Sequence, residues 1–551
     1  MLVLRIGLVL RLLFFIDFSW GQSDWHDDYG PWYIATKGEP WPMPNDRQMF
    51  NEYLHLDHEF DLQVIQKSCD ILKNAKERYK QIIEREQSIM KKYSKSQSTR
   101  IFNQPMTYRT SAGSSGNLAG LKIFLNQDCE SYPRLNSNES YALRIPHSDG
   151  NVYASLTSDS IWGILRGLET FSQLIAWSKN GSSLLMKKQI IEDLPRFAHR
   201  GLLLDTSRHF FSVEDILKIL DAMSYNKLNV FHWHIIDGNS FPWKSVTFPE
   251  LSEKGAYYPT MVYKPEDVKQ VIEFARLRGI RVVPEFDTPG HTISWGQSHP
   301  ELLTPCYGSD GHPSGKYGPM DPTRPAVLSF VRAVLSEVAT IFPDEHLHLG
   351  GDEVLFDCWR SNPNVSEFVK ANHLGDHYEK LEELFVRDLL NHAHKSLNKQ
   401  PIVWQEVFDN GLKLTPETVV HVWTGDWKLE LQNVTVKGQK ALLSACWYLS
   451  DLASGGDWAK FYDCDPLDFR GSYINKKLVI GGEACMWGEY VDSNNIHSRI
   501  WPRASAVAER LWSNERQEHT KTAQRLEEHA CRMNRRDISA QPPNGSGFCL
   551  K

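Results

Sequence analysis

The run His346-Leu347-His348-Leu349-Gly350-Gly351-Asp352-Glu353 reads as a buried apolar strand that stops at two glycines and two adjacent carboxylates. Side chains alternate across a strand, but at its last residue that rule relaxes and both acids can reach one pocket. The glycines allow a substrate or another backbone to come close. Two carboxylates at such a place suit acid/base work on an acetal bond, one protonating and the other stabilising positive charge. The competing reading is an acidic turn or helix N-terminus, where such residues are ordinary. The elements that would position the pair decide between the two.

From Pro195 onward the pattern is strand, then helix, repeated. Gly201 to Leu204 ends at Asp205, and Ser212 to Asn226 carries Ile216, Ile219, Leu220 and Met223 at helical spacing behind a Ser212/Asp215 capping box. Apolar runs at 229–236, 280–286, 346–349, 402–404, 419–423, 441–445 and 479–484 complete a series of eight strands, with helices between several of them. Buried strands with helical crossovers predict a parallel sheet, and eight units in this length predict a (β/α)8 TIM barrel. An open doubly wound sheet is the alternative, but Asp205-Thr206-Ser207-Arg208-His209 is no phosphate cradle.

In a TIM barrel all strand ends open onto one mouth. There the sequence places Arg208, Asp237, Asp287, His291, Asp352, Glu353, Trp404, Glu406, Trp423, Tyr448, Trp487 and Glu489. His232 and His234 share a strand face, and with His291 they raise a metallohydrolase as a rival enzyme class. Structural histidines inside the barrel are the simpler account.

Before the barrel, residues 23–194 read as a smaller, non-catalytic α/β domain. It has strands at 121–125, 141–145 and 152–156, helices at 71–91 and 161–175, and a Ser/Thr/Gly-rich stretch at 94–117. The assigned bounds are therefore 1–22 leader, 23–194 first domain and 195–551 catalytic barrel. The leader reading rests on an apolar run, Leu2 to Phe18, that holds Arg5 and Arg11 and is followed by Ser19, Gly21 and Ser23. Arg11 and Asp17 interrupt that run, which leaves an uncleaved anchor as the alternative; no later segment has the apolar length to span a bilayer. Export agrees with five Asn-X-Ser/Thr sequons, at Asn138, Asn180, Asn364, Asn433 and Asn544, and with nine cysteines, of which an odd count leaves at least one unpaired. The net charge of -7, without any basic block, argues against a nucleic-acid partner.

These motifs together resemble glycoside hydrolase family 20, the β-N-acetylhexosaminidases, and within it the animal lysosomal subunits. The resemblance is carried by HLHLGGDE at 346–353, RGLLLDTSRH at 200–209, FHWHIID at 231–237, EFDTPGH at 285–291, VWQE at 403–406 and GGEACMWGE at 481–489. It implies substrate-assisted hydrolysis, in which the substrate's own 2-acetamido oxygen attacks and an oxazolinium forms. Glu353 would be the general acid, then the base. Asp352 would orient the acetamido group, and its charge would help raise the pKa of Glu353. Asp237 and His291 would tune Glu353. Arg208 and Glu489 would hold sugar hydroxyls, Trp404, Trp423 and Trp487 would box the acetamido methyl and sugar face, and Tyr448 would position the acetamido oxygen.

The resemblance further implies a glycan substrate with terminal β-GlcNAc or β-GalNAc, no cofactor or metal, a homodimer without a stable membrane anchor, and residence in the secretory pathway, lysosomal or extracellular. It implies the pairs Cys69–Cys129, Cys306–Cys358 and Cys531–Cys549, with Cys485 free. Two features depart from the family pattern. Ser450 stands where lysosomal subunits carry Asp or Asn, and with Asp451 beside it anionic substrates become doubtful. Cys446 and Cys464 are additional, and are expected to bond to each other and brace the loop that carries Tyr448.

Overall fold

The computed structural model describes residues 31–95, 116–146, 150–178, 183–451 and 456–550. The leader at 1–22, the sequon at Asn180 and most of the stretch 94–117 lie outside the described residues.

The first unit is a six-stranded mixed sheet in the order Asp46–Val64, Gly116–Leu125, Gly150–Ser158, Tyr141–Ile145, Leu184–Asp193, Ile175–Trp177, and its first strand also pairs with Leu184–Asp193. The long strand Asp46–Val64 was not legible in the sequence. Most of its positions are exposed or half-buried and carry Asp, Glu, Gln and His, so no apolar alternation marks it. The helix Ile161–Gln173 is buried along its whole length and is capped by Ser160, whose side chain accepts from the Trp162 amide. Its Arg166 donates to the carbonyls of Arg278 and Gly279, at 3.2 and 2.7 Å, tying this unit to the next.

The second unit is a closed parallel barrel of eight strands. They are β1 (His199–Asp205), β2 (Val230–His234), β3 (Arg281–Glu285), β4 (His346–His348), β5 (Gln400–Trp404), β6 (Val419–Val422), β7 (Lys440–Leu443) and β8 (Val479–Met486). The seam closes through six register pairs between β8 and β1, whereas β3 and β4 share one pair, Glu285 with His348. Inward side chains follow the strand period of two and stack in layers. Val230, Val283, Ile402, Val419 and Leu442 form an apolar plug. His199, His232, Glu285, His348, His421 and Glu483 are buried on the strands around it. Leu203, Trp404 and Cys485, packed against Trp423, Tyr448 and Trp487, form the layer below the mouth.

Residues 36–43 precede the first sheet and bond to both units: the Trp41 amide donates to Gln173 at 2.6 Å, and further bonds reach the barrel's last helices. The Trp41 indole donates to the Ser505 carbonyl at 2.7 Å, and the Gly38 amide donates to Glu528 at 2.6 Å. A Trp/Pro-rich segment has no strand or helix of its own to satisfy its amides, so it takes partners from a neighbouring unit.

Disulfides join Cys69–Cys129, Cys306–Cys358, Cys446–Cys464 and Cys531–Cys549, and Cys485 is free and buried. Asn138, Asn364 and Asn433 are exposed. Asn544 is not: only 8% of it is accessible, its Nδ2 donates to the Ala523 carbonyl and to Glu527 at 2.9 and 3.0 Å, and its Oδ1 accepts from Trp458. The Asn544 nitrogen that would carry a glycan is thus engaged inside the folded chain. No described helix is long and apolar enough to cross a membrane.

Candidate active site

The end of β4 explains why the two acids can differ. Gly350 and Gly351 have φ of 71° and 97°, and a Cβ on Gly350 would fall 1.7 Å from Asp287 Oδ1. The Gly351 amide donates to that same oxygen at 2.8 Å. Glu353 itself has φ of 50°, a left-handed conformation uncommon for a residue with a Cβ. That turn breaks the strand alternation. Asp352 is buried, with 8% exposure, while the Glu353 side chain keeps 60%.

Asp352 is hydrogen-bonded to Asp287, and the two divide one proton between them. Burial and the neighbouring Asp352 charge push Asp287 well above the usual carboxylate range. Burial also raises Asp352, but the Asp287 hydrogen bond and His291 oppose the rise. Asp287 is thus the protonated member, donating to an Asp352 carboxylate.

His291, which also has a positive φ of 54°, reaches all of these acids. Its Nδ1 lies 3.2 Å from Asp237 Oδ1, and its Nε2 lies 3.5 Å from Glu353 Oε2 and 3.8 Å from Asp352 Oδ2. Burial disfavours the imidazolium, but Asp287, Asp237 and Glu353 outweigh it and push the pKa up to about 12. The expectation that Asp352 raises the pKa of Glu353 is corrected here. The charged His291, with Nε2 3.5 Å from Glu353 Oε2, holds the Glu353 carboxyl below its ordinary value.

Arg208, on the loop after β1, lies 3.0 Å from both Asp205 and Asp237 and 3.3 Å from Glu489. Its guanidinium sits 5.1 Å above the Trp487 ring. A planar fork fits several carboxylates at once, and the charge survives burial because they surround it.

The aromatic wall comes from four consecutive strand ends. Trp404 meets Trp423 and Trp487 with ring centroids 6.4 and 6.1 Å apart, and Tyr448 stacks on Trp423 at 6.0 Å. Trp404 is fully buried and forms the floor, its indole donating to Glu285 Oε1 at 2.7 Å. The Trp423 indole donates to Glu406, whose oxygens lie at 2.9 and 3.1 Å. Burial pushes the Tyr448 phenol well above its ordinary pKa, so it remains a neutral donor. Its loop is braced by the Cys446–Cys464 bond, by the Trp447 indole on the Phe461 carbonyl at 3.0 Å and by Arg503 on the Leu449 carbonyl at 2.6 Å. Ser450 is half-buried and Asp451 exposed at the end of that loop.

Among the described residues two groups have ligand atoms within 4.8 Å of one another: Asp287, His291 and Asp352, and His232, His348 and His421. His232 faces Glu285 and Glu483, and His234 faces Asp237 and Glu285, so carboxylates take up the nitrogens of both rings. The His232 and His348 rings stack 4.7 Å apart at 26°.

Asp205 and Glu285 belong to the site but were not among the expected site residues, and Asp287 and Glu406 had been placed at the mouth without a role. Their signal was position alone, at or just past a strand end.

The chain matches the family model "Glycosyl hydrolase family 20, catalytic domain" over residues 197–515 and the model "beta-acetyl hexosaminidase like" over residues 40–174. It is 51% identical to beta-hexosaminidase subunit alpha of Bos taurus over 433 residues, covering 78% of this chain and 80% of that one. It is 45% identical to beta-hexosaminidase subunit beta of Mus musculus over 518 residues, 92% of each chain. Among solved structures, Flavobacterium johnsoniae chitobiase superposes with a TM-score of 0.73 at 27% identity, over 91% of this chain and 73% of that one. The convergence of acids, arginine and aromatics at one barrel mouth and these likenesses have one conclusion: the chain is a glycoside hydrolase belonging to glycosyl hydrolase family 20.

Proposed function

We propose that this protein is an exo-acting, retaining β-N-acetylhexosaminidase that removes terminal, non-reducing β-linked GlcNAc or GalNAc from glycans and glycoconjugates by substrate-assisted catalysis. One observation carries the reading: the adjacent acids are separated by burial and by partner. Asp352 is buried beside the aromatic wall and accepts a hydrogen bond from Asp287, whereas Glu353 faces the open mouth against His291. A buried anion suits the positive charge that develops on the acetamido nitrogen when its oxygen attacks the anomeric carbon. An acid at the mouth suits protonation of the departing glycosidic oxygen and later activation of water. In this reading Tyr448 donates to the acetamido oxygen, Trp423 and Trp487 enclose the methyl over the Trp404 floor, and Arg208 with Glu489 takes the sugar hydroxyls. A sugar ring over Glu353 excludes water from a carboxyl that is otherwise largely solvated, which raises its pKa and restores the acid.

Asp237 and His291 act on Glu353 through the imidazole. Ser450 and Asp451 border the sugar's far hydroxyls and disfavour anionic substituents. The natural setting is the secretory pathway, lysosomal or extracellular, which the four disulfides support, and the working form is a homodimer. Chromogenic β-GlcNAc, β-GalNAc, 6-sulfated β-GlcNAc and β-glucoside substrates test the reading. The first two are cleaved, the sulfated sugar poorly, and the glucoside, which lacks the internal nucleophile, scarcely at all. Comparable turnover of the glucoside would overturn the substrate-assisted step.

A further inference from the structure

The site does not end at Asp237. From Glu353 inward, imidazoles and carboxylates alternate across the barrel. Asp237 Oδ2 lies 2.8 Å from His234 Nε2, His234 Nδ1 lies 2.5 Å from Glu285 Oε2, and that oxygen lies 3.1 Å from His232 Nε2. His232 Nδ1 then lies 2.8 Å from Glu483 Oε2, and Glu483 Oε1 lies 2.5 Å from His199 Nε2. His234 is therefore hydrogen-bonded to a carboxylate at both ring nitrogens, while His291 and His232 each bond one at Nδ1 and have a second 3.5 and 3.1 Å from Nε2. A neutral imidazole has one N–H and one lone pair, and a lone pair facing a carboxylate is repelled; two carboxylates require both N–H groups, hence the cation. Glu285 is the junction. Its other oxygen takes the Trp404 indole at 2.7 Å and lies 3.1 Å from His348 Nδ1.

We infer that Glu285 is a positioning residue for the hydrolysis: by facing His234 it keeps that ring an imidazolium, and through His234, Asp237 and His291 it sets the proton affinity of Glu353, while its second oxygen fixes the Trp404 floor. The inference rests on Glu353 as the general acid. The groups around Glu285 are His232 and His234 from β2, His348 from β4, Trp404 from β5, His421 from β6, Cys485 from β8, Tyr448 after β7, and Asp287 and Asp352 above it, with Glu483 on the far nitrogen of His232. The raised pKa of His234, with Glu285 and Asp237 outweighing burial, agrees with the cation that the geometry requires.

Glu285→Gln tests this. The amide oxygen still accepts from Trp404, but an NH2 replaces the oxygen facing His234, so His234 must offer a lone pair and lose its charge. Loss of that cation beside Asp237 raises the proton affinity of His291 and Glu353. The alkaline limb of the kcat–pH profile moves upward by about half a unit or more, kcat falls about tenfold, and KM stays within about twofold. His234→Gln moves the limb in the same direction, and the double variant moves it no further than either single one, because both act on one cation. Limbs that coincide with wild type, that move in opposite directions, or that add in the double variant would overturn the inference. Should Glu285→Gln not give a folded protein by thermal melting, Glu285→Asp is compared with His234→Gln. The charge-retaining variant leaves the limb in place and the other moves it; a shift in Glu285→Asp equal to that in His234→Gln overturns the inference. Wild-type protein that shows no limb attributable to Glu353, tested by losing it in Glu353→Gln, would instead count against the assignment of the acid.

Discussion

His291 Nε2 lies 3.5 Å from Glu353 Oε2, and the ring's other nitrogen lies 3.2 Å from Asp237 Oδ1. The imidazole is held as a cation and in turn holds the exposed acid in its ionised form. Ground-state ionisation and catalytic protonation therefore oppose each other at one carboxyl.

The sign of the pH dependence follows. The working acid is the protonated form, and its pKa is lowered, so the competent fraction is present at low pH and disappears as pH rises through that pKa. Hydrolysis of β-GlcNAc substrates should be optimal on the acid side of neutrality. His291→Asn removes the cation that lowers the carboxyl, so the alkaline limb should move upward even as kcat falls. Profiles of kcat for the two proteins check this, and a limb moving downward would contradict the assignment.

Glu353→Gln keeps shape and loses the proton. The rate should fall by about 10²–10⁴-fold on substrates whose leaving group needs protonation, and by less on a strongly activated aryl leaving group. Comparing the two leaving groups in both proteins isolates the acid role, and equal losses would argue for a binding defect.

Arg208→Lys retains one charge but cannot span Asp205, Asp237 and Glu489, which lie at 3.0, 3.0 and 3.3 Å from three different guanidinium nitrogens. KM should rise and kcat/KM fall by about a hundredfold or more, since Asp237 also loses a partner next to His291. Steady-state kinetics on β-GlcNAc and β-GalNAc substrates report both constants.

Asn544 has both amide donors occupied inside the fold. Peptide mapping after enzymatic deglycosylation should find it unmodified, with any glycan at Asn138, Asn364 or Asn433 located on exposed side chains. Asn544→Gln should lower thermal stability, by about 1–3 kcal/mol, because it misplaces a buried group that bonds Trp458, Ala523 and Glu527.

The barrel was legible because its strands are buried on both faces and so read as unbroken apolar runs, each ending in a polar residue. Asp237, Asp352, Glu353, Trp404 and Trp487 stood out for the same reason: a polar or aromatic side chain closing such a run is conspicuous along the chain. The strand Asp46–Val64 was hidden because half-exposed positions impose no pattern. What only the tertiary structure decided is which neighbours each group meets. Sequence adjacency made Asp352 the obvious influence on Glu353, yet a left-handed turn at Glu353 sends the two side chains apart, and the closest controls are Asp287 for one and His291 for the other. Glu285 looked like one more residue in a strand. Its importance arises from barrel closure, which brings side chains from β2, β4 and β5 onto a single carboxylate across more than a hundred residues of chain. Periodicity encodes which way a side chain faces, whereas proton affinity depends on charges a few ångströms away, and those are set by folding in three dimensions.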